Sequence, residues 1–267
     1  MTDIAPTATV DKTAQLGDNV HIGPGCLIAP YAVIGNNCFF KANSIVCSGV
    51  TIGDNNRFYS NTVMGEDPQI IGTVDPDTKL IIGNDNIFRE NVNISRGSLK
   101  GGGKTIIGNS NFLMMGTHIG HDSLVEDNCV IGNNSLMAGH CKIECNAWFS
   151  ARTSVQQFVT VGRFVFTAGA SAILNDMPPF VRCSEYPAVP RGLNAIGLQR
   201  AGFEESSIAA LKQAFRKLYR RRNADTLAQM VEEISSADIQ DPNVIYLIDH
   251  LKKSLQHHMG RYLELFR

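Results

Sequence analysis

No window of this 267-residue chain is long and apolar enough to cross a bilayer, and the start, Met-Thr-Asp-Ile-Ala-Pro, lacks the basic and apolar regions of a signal peptide. The expectation is a cytoplasmic protein. An excess of either charge is also missing: 24 Lys and Arg stand against 25 Asp and Glu, a net of −1, which argues against nucleic acid as a partner. Cysteine is too sparse and irregular for a disulfide framework or a zinc site, with seven residues and no paired spacing. What remains is an ordinary apolar fraction of 43% and enough length for one large or two small domains.

Against those absences stands a repeat. A bulky apolar residue recurs every sixth position from Ile4 through Val10, Leu16, Ile22, Ile28, Ile34, Phe40, Val46, Ile52 and Phe58 to Met64, then at Ile82, Phe88 and Ile94. It resumes at Ile107 and runs through Ile119, Val125, Ile131, Met137, Ile143 and Phe149 to Ile173, with Thr167 the one polar member. Six is neither a helical nor a simple strand period, but it fits a solenoid in which each hexad is one short strand and one corner. A parallel β-helix is predicted. Gly often follows the anchor (Gly17, Gly35, Gly53, Gly83, Gly108) and Asp or Asn comes next, residue types that tolerate the backbone angles of tight corners. The fifth hexad position is small, as at Cys26, Ala32, Cys38, Cys129, Ser135, Cys141 and Ala147, and should pack inside.

Two interruptions break the period. Residues 65–81 carry Pro68 and Pro76 and read as an excursion loop; Lys100-Gly-Gly-Gly-Lys104 shifts the phase by one residue. Loops on a rigid solenoid are candidates for substrate contact, or tolerated insertions. The repeat stops near Pro178-Pro179, and helical spacing follows Pro190, giving an expected solenoid over 1–190 and a helical domain over 191–267. Helices are predicted over 204–222, where Ile208, Leu211, Phe215 and Leu218 form one stripe, over 226–234 and over 243–259.

Three of the seven histidines fall close together: His118, His121 and His140. With three hexads per coil, residue n lies under n+18, so Gly139 sits above His121, His140 beside it, and Gln157 one coil further. His121, at a corner, would point outward as a general base, with Asp122 orienting the ring and the Gly139 N–H stabilising an oxyanion. The alternatives are a solvated turn residue or a metal site like that of γ-class carbonic anhydrases; the spacing disfavours the metal, and none is expected.

With those residues in place, the chain resembles the UDP-N-acetylglucosamine O-acyltransferase family, which starts lipid A synthesis. The matching pieces are His21-Ile-Gly-Pro24, Gly65-Glu66, Arg89-Glu90, Arg96-Gly97, Gly101-Gly-Gly103, His118-Ile-Gly-His-Asp122, Leu136-Met-Ala-Gly-His140, Asp176-Met-Pro-Pro179 and the stretch from Asn194 to Arg200 before Gly202-Phe203. The resemblance implies a left-handed β-helix, a homotrimer with sites between subunits, and transfer of a 3-hydroxyacyl chain from acyl carrier protein to a UDP-amino sugar, without a cofactor. It implies substrate contacts at His118, His140, Gln157, Gln69, Asn194 and Arg200, and an acyl groove whose length-reading position is Gly169, with Phe166 narrowing it. The chain departs from the family pattern at Ile70, Gly72, Ser95, Gln156 and Ile196, all on the nucleotide-sugar side, which leaves a related sugar, an N-acyltransferase and a non-catalytic trimeric scaffold as alternatives. The first helix carries Lys212, Arg216, Lys217, Arg220, Arg221 and Arg222 in its second half. That cluster suits either the acidic acyl carrier protein or the helix macrodipole.

Overall fold

The computed structural model describes residues 2–72, 77–219, 226–237 and 239–266. Each hexad forms a two-residue strand and a corner, as in His21–Ile22, Leu27–Ile28 and Val33–Ile34. Strands stack in parallel at 18-residue intervals, His21 against Phe39 and Phe39 against Arg57. The result is three sheets wound as a left-handed parallel β-helix; the first begins at Asp3–Ile4, the second at Thr9–Val10 and the third at Gln15–Leu16.

The anchors supply the core. Phe40, Phe58 and Phe88 are fully buried and stacked at 4.5 and 4.8 Å between ring centres, so each contributes on the order of 2 kcal/mol of burial besides its stacking. The one polar anchor is satisfied: the Thr167 hydroxyl accepts from the Ser150 N–H at 3.1 Å and shares a hydrogen bond with Thr153 at 2.8 Å. The small fifth positions, Cys26, Ala32, Cys38, Cys129, Ser135, Cys141 and Ala147, are buried inside the corners, and all seven cysteines are free thiols.

The corners work differently from the expectation for glycine. The left-handed residue is the third after the anchor, usually Asn, as at Asn19 (φ 55°), Asn37 (φ 55°) and Asn55 (φ 59°). Gly35, directly after its anchor, is needed instead because a Cβ there would lie 2.6 Å from the Gly53 carbonyl carbon of the next coil. Close stacking of coils, not chain reversal, excludes a side chain.

Both interruptions leave the register intact. Ile52 pairs with Ile82 across 30 residues in place of 18, and Ile82 with Ile107 across 25, so loops of twelve and seven extra residues are extruded at corners. The second-sheet strands Val63–Glu66 and Asn93–Ser95 launch them. The Arg96 guanidinium grips Asp67 at 2.6 Å and the Arg96 backbone N–H donates to the Glu66 carbonyl at 2.9 Å, tying the bases of the two loops together.

The solenoid runs past the two prolines: Val181–Ser184 still joins the first sheet and pairs antiparallel with Val189–Leu193. Among the described residues four α-helices follow, α1 (Ala195–Arg200), α2 (Glu205–Tyr219), α3 (Leu227–Ser236) and α4 (Pro242–Ser254). The stripe Ile208, Leu211, Phe215 and Leu218 is buried as the spacing requires. The short α1 lacks enough turns to show periodicity in sequence, and α4 ends at Ser254, five residues before the expected end, in turns that lead to the segment Tyr262–Phe266. Glu144 of the solenoid accepts from the Tyr246 hydroxyl of α4 at 2.7 Å, and Arg163 lies 3.7 Å from the Tyr246 ring centre, which pins the helices to the coils. No helix among the described residues is long and apolar enough to cross a membrane.

Candidate active site

His121 and Asp122 form the corner between the strands His118–Ile119 and Leu124–Val125. Asp122 takes a left-handed conformation (φ 60°), and its amide donates to the buried Thr105 hydroxyl at 2.8 Å. The loop of seven extra residues covers its side chain. Ser98 holds both carboxylate oxygens, its N–H donating to Oδ1 at 2.7 Å and its hydroxyl to Oδ2 at 2.6 Å, while a Cβ on Gly101 would collide with the carboxylate at 2.0 Å. The Asp122 side chain is fully buried. Burial alone would raise its pKa; hydrogen bonds from His121 and Ser98 and the nearby charge of His140 outweigh burial and hold the carboxyl below its ordinary value.

An ionised carboxylate only accepts, so the 2.7 Å contact between His121 Nδ1 and Asp122 Oδ2 puts the ring proton on Nδ1 and leaves the Nε2 lone pair exposed as a base. The ring rests on Gly139, where an added Cβ would lie 2.7 Å from Cε1 and 2.8 Å from Nε2. The same corner repeats one coil on at His140 (φ 61°) and again at Phe158 (φ 65°), and those two rings stack at 4.6 Å. His140 Nε2 lies 3.8 Å from Asp122 Oδ2.

A cleft of about 840 Å³ opens over this corner, lined by His121, Asp122, His140, Gln157, Gln69 and Lys100 together with apolar groups discussed below. His118 stands just outside it on the second sheet, bonded to Asn93 at 3.0 Å; burial, then the charge of His121, keeps it more readily neutral. Among the described residues His121, Asp122 and His140 are the group able to hold a metal, with ligand atoms within 4.8 Å of one another. Its donor set suits a base better than a metal ligand, because Asp122 spends both oxygens on Ser98 and His121.

Other residues singled out from the sequence lie elsewhere on this chain. Phe166 and Gly169 are 45 and 48 residues from His121, not a multiple of 18, so they fall on the first sheet and the corner after it. Asn194 caps α1, accepting from the Gly197 N–H at 3.2 Å and donating to the Phe164 carbonyl at 3.0 Å; Arg200 is exposed at the other end of that helix. Arg216 and Lys217 are on the exposed side of α2, with Glu233 3.9 Å from Lys217; Arg220 and Arg221 lie outside the described residues. Of the departures, Ser95 is buried, Ile196 is exposed, and Ile70 joins the cleft wall. Ser98 lies beyond the stacking arithmetic because the phase shift of the loop intervenes, whereas Thr105, on a strand stacked at the regular eighteen residues, lies within it. Phe158, eighteen residues from His140, was within its reach.

A sequence profile described as UDP-N-acetylglucosamine O-acyltransferase, domain 2, matches residues 176–259, and the bacterial transferase hexapeptide profile matches 31–66 and 104–139. The chain is 43% identical to the acyl-[acyl-carrier-protein]–UDP-N-acetylglucosamine O-acyltransferase of Aliivibrio fischeri, over 94% of this chain and 95% of that one. The fold superposes on a UDP-N-acetylglucosamine acyltransferase from Bacteroides fragilis with a TM-score of 0.88 at 33% identity, over 93% of this chain and 96% of that one. An Arabidopsis UDP-N-acetylglucosamine acyltransferase gives 0.81 at 27% identity, covering 96% and 98%.

Proposed function

The chain belongs to the UDP-N-acetylglucosamine O-acyltransferase family, and on that premise we propose that the corner at His121 performs the transfer. A 3-hydroxyacyl chain passes from acyl carrier protein to the 3-hydroxyl of UDP-N-acetylglucosamine, the first step of lipid A biosynthesis. His121 Nε2 takes the hydroxyl proton as the sugar oxygen attacks the thioester carbonyl carbon, and the Gly139 N–H steadies the negative charge that develops on the carbonyl oxygen. Collapse of the tetrahedral species breaks the carbon–sulfur bond, and the departing thiolate receives the proton from the His121 imidazolium. Asp122 stabilises that imidazolium throughout. The observation that carries the reading is the Nδ1–Asp122–Ser98 chain of hydrogen bonds, which fixes the tautomer an acyl-transfer base requires.

The expected result is acyl transfer from 3-hydroxyacyl carrier protein to UDP-N-acetylglucosamine that survives a chelator. A panel including UDP sugars with an amine at the 3-position separates O- from N-acylation, a choice left open by Ile70, Gly72, Ser95, Gln156 and Ile196. Activity confined to the amine would reverse the assignment, and loss of activity to the chelator would replace the general base with a metal.

The assembly we propose is a homotrimer in the cytoplasm. The outward row of the second sheet carries Leu27, Ile45 and Val63, then Asn93 and His118 beside the His121 corner, then Leu136, with Leu27 and Leu136 41% and 53% exposed, so that apolar surface flanks the corner. In that arrangement Gly169, Phe166, Asn194 and Arg200 serve the cleft of a neighbouring copy, and Arg216 and Lys217, with Arg220 and Arg221, receive acyl carrier protein on the helical domain, which we place after residue 190. Sedimentation should give three times 29.1 kDa at micromolar concentration; a monomer would remove the neighbour's contribution from the scheme.

A further inference from the structure

The cleft changes character along the solenoid axis. On one side of His121 stand Lys100, Ser98 and Gln69, polar groups suited to a sugar and its phosphates, with Ile70 and Ile71 following Gln69 on the same loop. On the other, toward the helices, the wall becomes apolar: Phe158 is one coil above His140, and beyond it Leu263 and Phe266 reach in from the C-terminal segment Tyr262–Phe266. Phe266 packs edge-on against the Tyr262 ring at 5.2 Å and is still 69% exposed, so most of its apolar surface faces the cleft.

The segment is clamped into place by the last corner on the same side of the solenoid. That coil is two residues shorter, Met177 pairing with Val161, so Asp176 stands over Thr160, and its carboxylate accepts from the Thr160 N–H at 2.7 Å and the Tyr262 N–H at 2.9 Å. The Asp176 N–H donates to the Gly260 carbonyl at 2.6 Å, and the Asn175 amide donates to the Met259 carbonyl. Arg261 closes the turn on Glu264 at 2.6 Å. Such a set of bonds would be unnecessary for a fraying terminus; here it delivers two large apolar side chains to the reacting corner.

We propose that Leu263 and Phe266 are specificity-determining residues for the acyl chain of the donor, forming the side wall along which it lies, and that Asp176 is the positioning residue for that wall. The proposal rests on the acyltransferase reading. Of the groups entering this cleft only a 3-hydroxyacyl chain has a long apolar part, and the apolar wall lies on the side of His121 opposite the polar groups.

The test compares Leu263→Ala, Phe266→Ala and Asp176→Ala with the wild-type chain, using acyl carrier protein carrying short, medium and long 3-hydroxyacyl groups. The two wall variants remove an exposed side chain, Phe266, and a half-buried one, Leu263, from the edge of the cleft, and circular dichroism should match the wild type. Each should lower the ratio of kcat/KM for the long over the short donor by about tenfold, the order of one lost apolar contact. The change should lie in KM for the donor, with KM for the UDP sugar held within about twofold. Asp176→Ala should reproduce the same chain-length signature, which a general loss of stability would not. A long-to-short ratio equal to that of the wild type in both wall variants overturns the proposal, as does a shift confined to KM for the UDP sugar. Wild-type protein that transfers none of the three chains sinks the acyltransferase reading and the wall with it; wild-type transfer with an unmoved profile sinks the wall alone.

Discussion

His121→Ala lowers turnover by about 10²–10⁴-fold while leaving the fold intact, the usual contribution of a positioned general base. The reasoning is local. Nε2 is the one basic ring atom at this corner whose partner atom, Nδ1, is fixed by a buried carboxylate at 2.7 Å. His140 is too poorly placed to substitute: its Nε2 is the atom turned toward Asp122, at 3.8 Å, and its ring is stacked on Phe158. Gln157, two coils up the His121 column beyond Gly139, carries an amide that does not titrate. Stability should fall by about 1–3 kcal/mol, because the buried Asp122 carboxylate loses one hydrogen-bond partner while keeping both bonds from Ser98. Single-turnover rates with saturating substrates are the measurement, and a variant as fast as the wild type would show that the proton leaves by another route.

The second large effect comes from adding atoms. Gly139→Ala places a methyl group 2.7 Å from Cε1 and 2.8 Å from Nε2 of His121, well inside van der Waals contact. Gly139 is not in a left-handed conformation, so Ala fits the backbone and the cost falls on the ring. Displacement of the imidazole by about 1 Å is worth roughly 10² in rate, and kcat should fall by that order with the circular dichroism spectrum unchanged. The same substitution leaves the Gly139 N–H in place, so the experiment separates crowding of the base from loss of the oxyanion donor. A rate within a few-fold of the wild type would mean that the ring works from another position.

How much of this could be read from residues alone follows from the repeat. A constant coil of eighteen residues turns sequence separation into height, which is why His121, Gly139 and Gln157 could be stacked before any coordinates existed, and why Asp122 could be set beside them. The arithmetic fails wherever the coil is interrupted. Ser98 lies 24 residues before Asp122, a separation with no meaning in the repeat, yet it supplies two of the bonds that keep the carboxylate charged. It fails again after Ile173, where Met177 pairs with Val161 and Arg182 with Phe166 across sixteen residues, and nothing in the spacing of Leu263 or Phe266 says which coil they return to. Asn194 shows a different limit. A polar residue in a motif can serve a ligand, its own backbone or both, and the spacing does not announce that the Asn194 side chain accepts from the Gly197 N–H at the start of α1.

The regular 18-residue pairing also bears on how the chain finds its fold. Sheets usually demand contacts between residues far apart in sequence, and the loop entropy of those closures makes all-β proteins slow to fold. Here most strand partners are 18 residues away in a chain of 267, a separation of about 0.07 of its length, the range of helical bundles rather than of sandwiches or barrels. Each finished coil is a template for the next, so growth can proceed from any completed coil in either direction, and the two wider closures at Ile52–Ile82 and Ile82–Ile107 are the slow rungs of the ladder. The catalytic corner is assembled on the coils just beyond them.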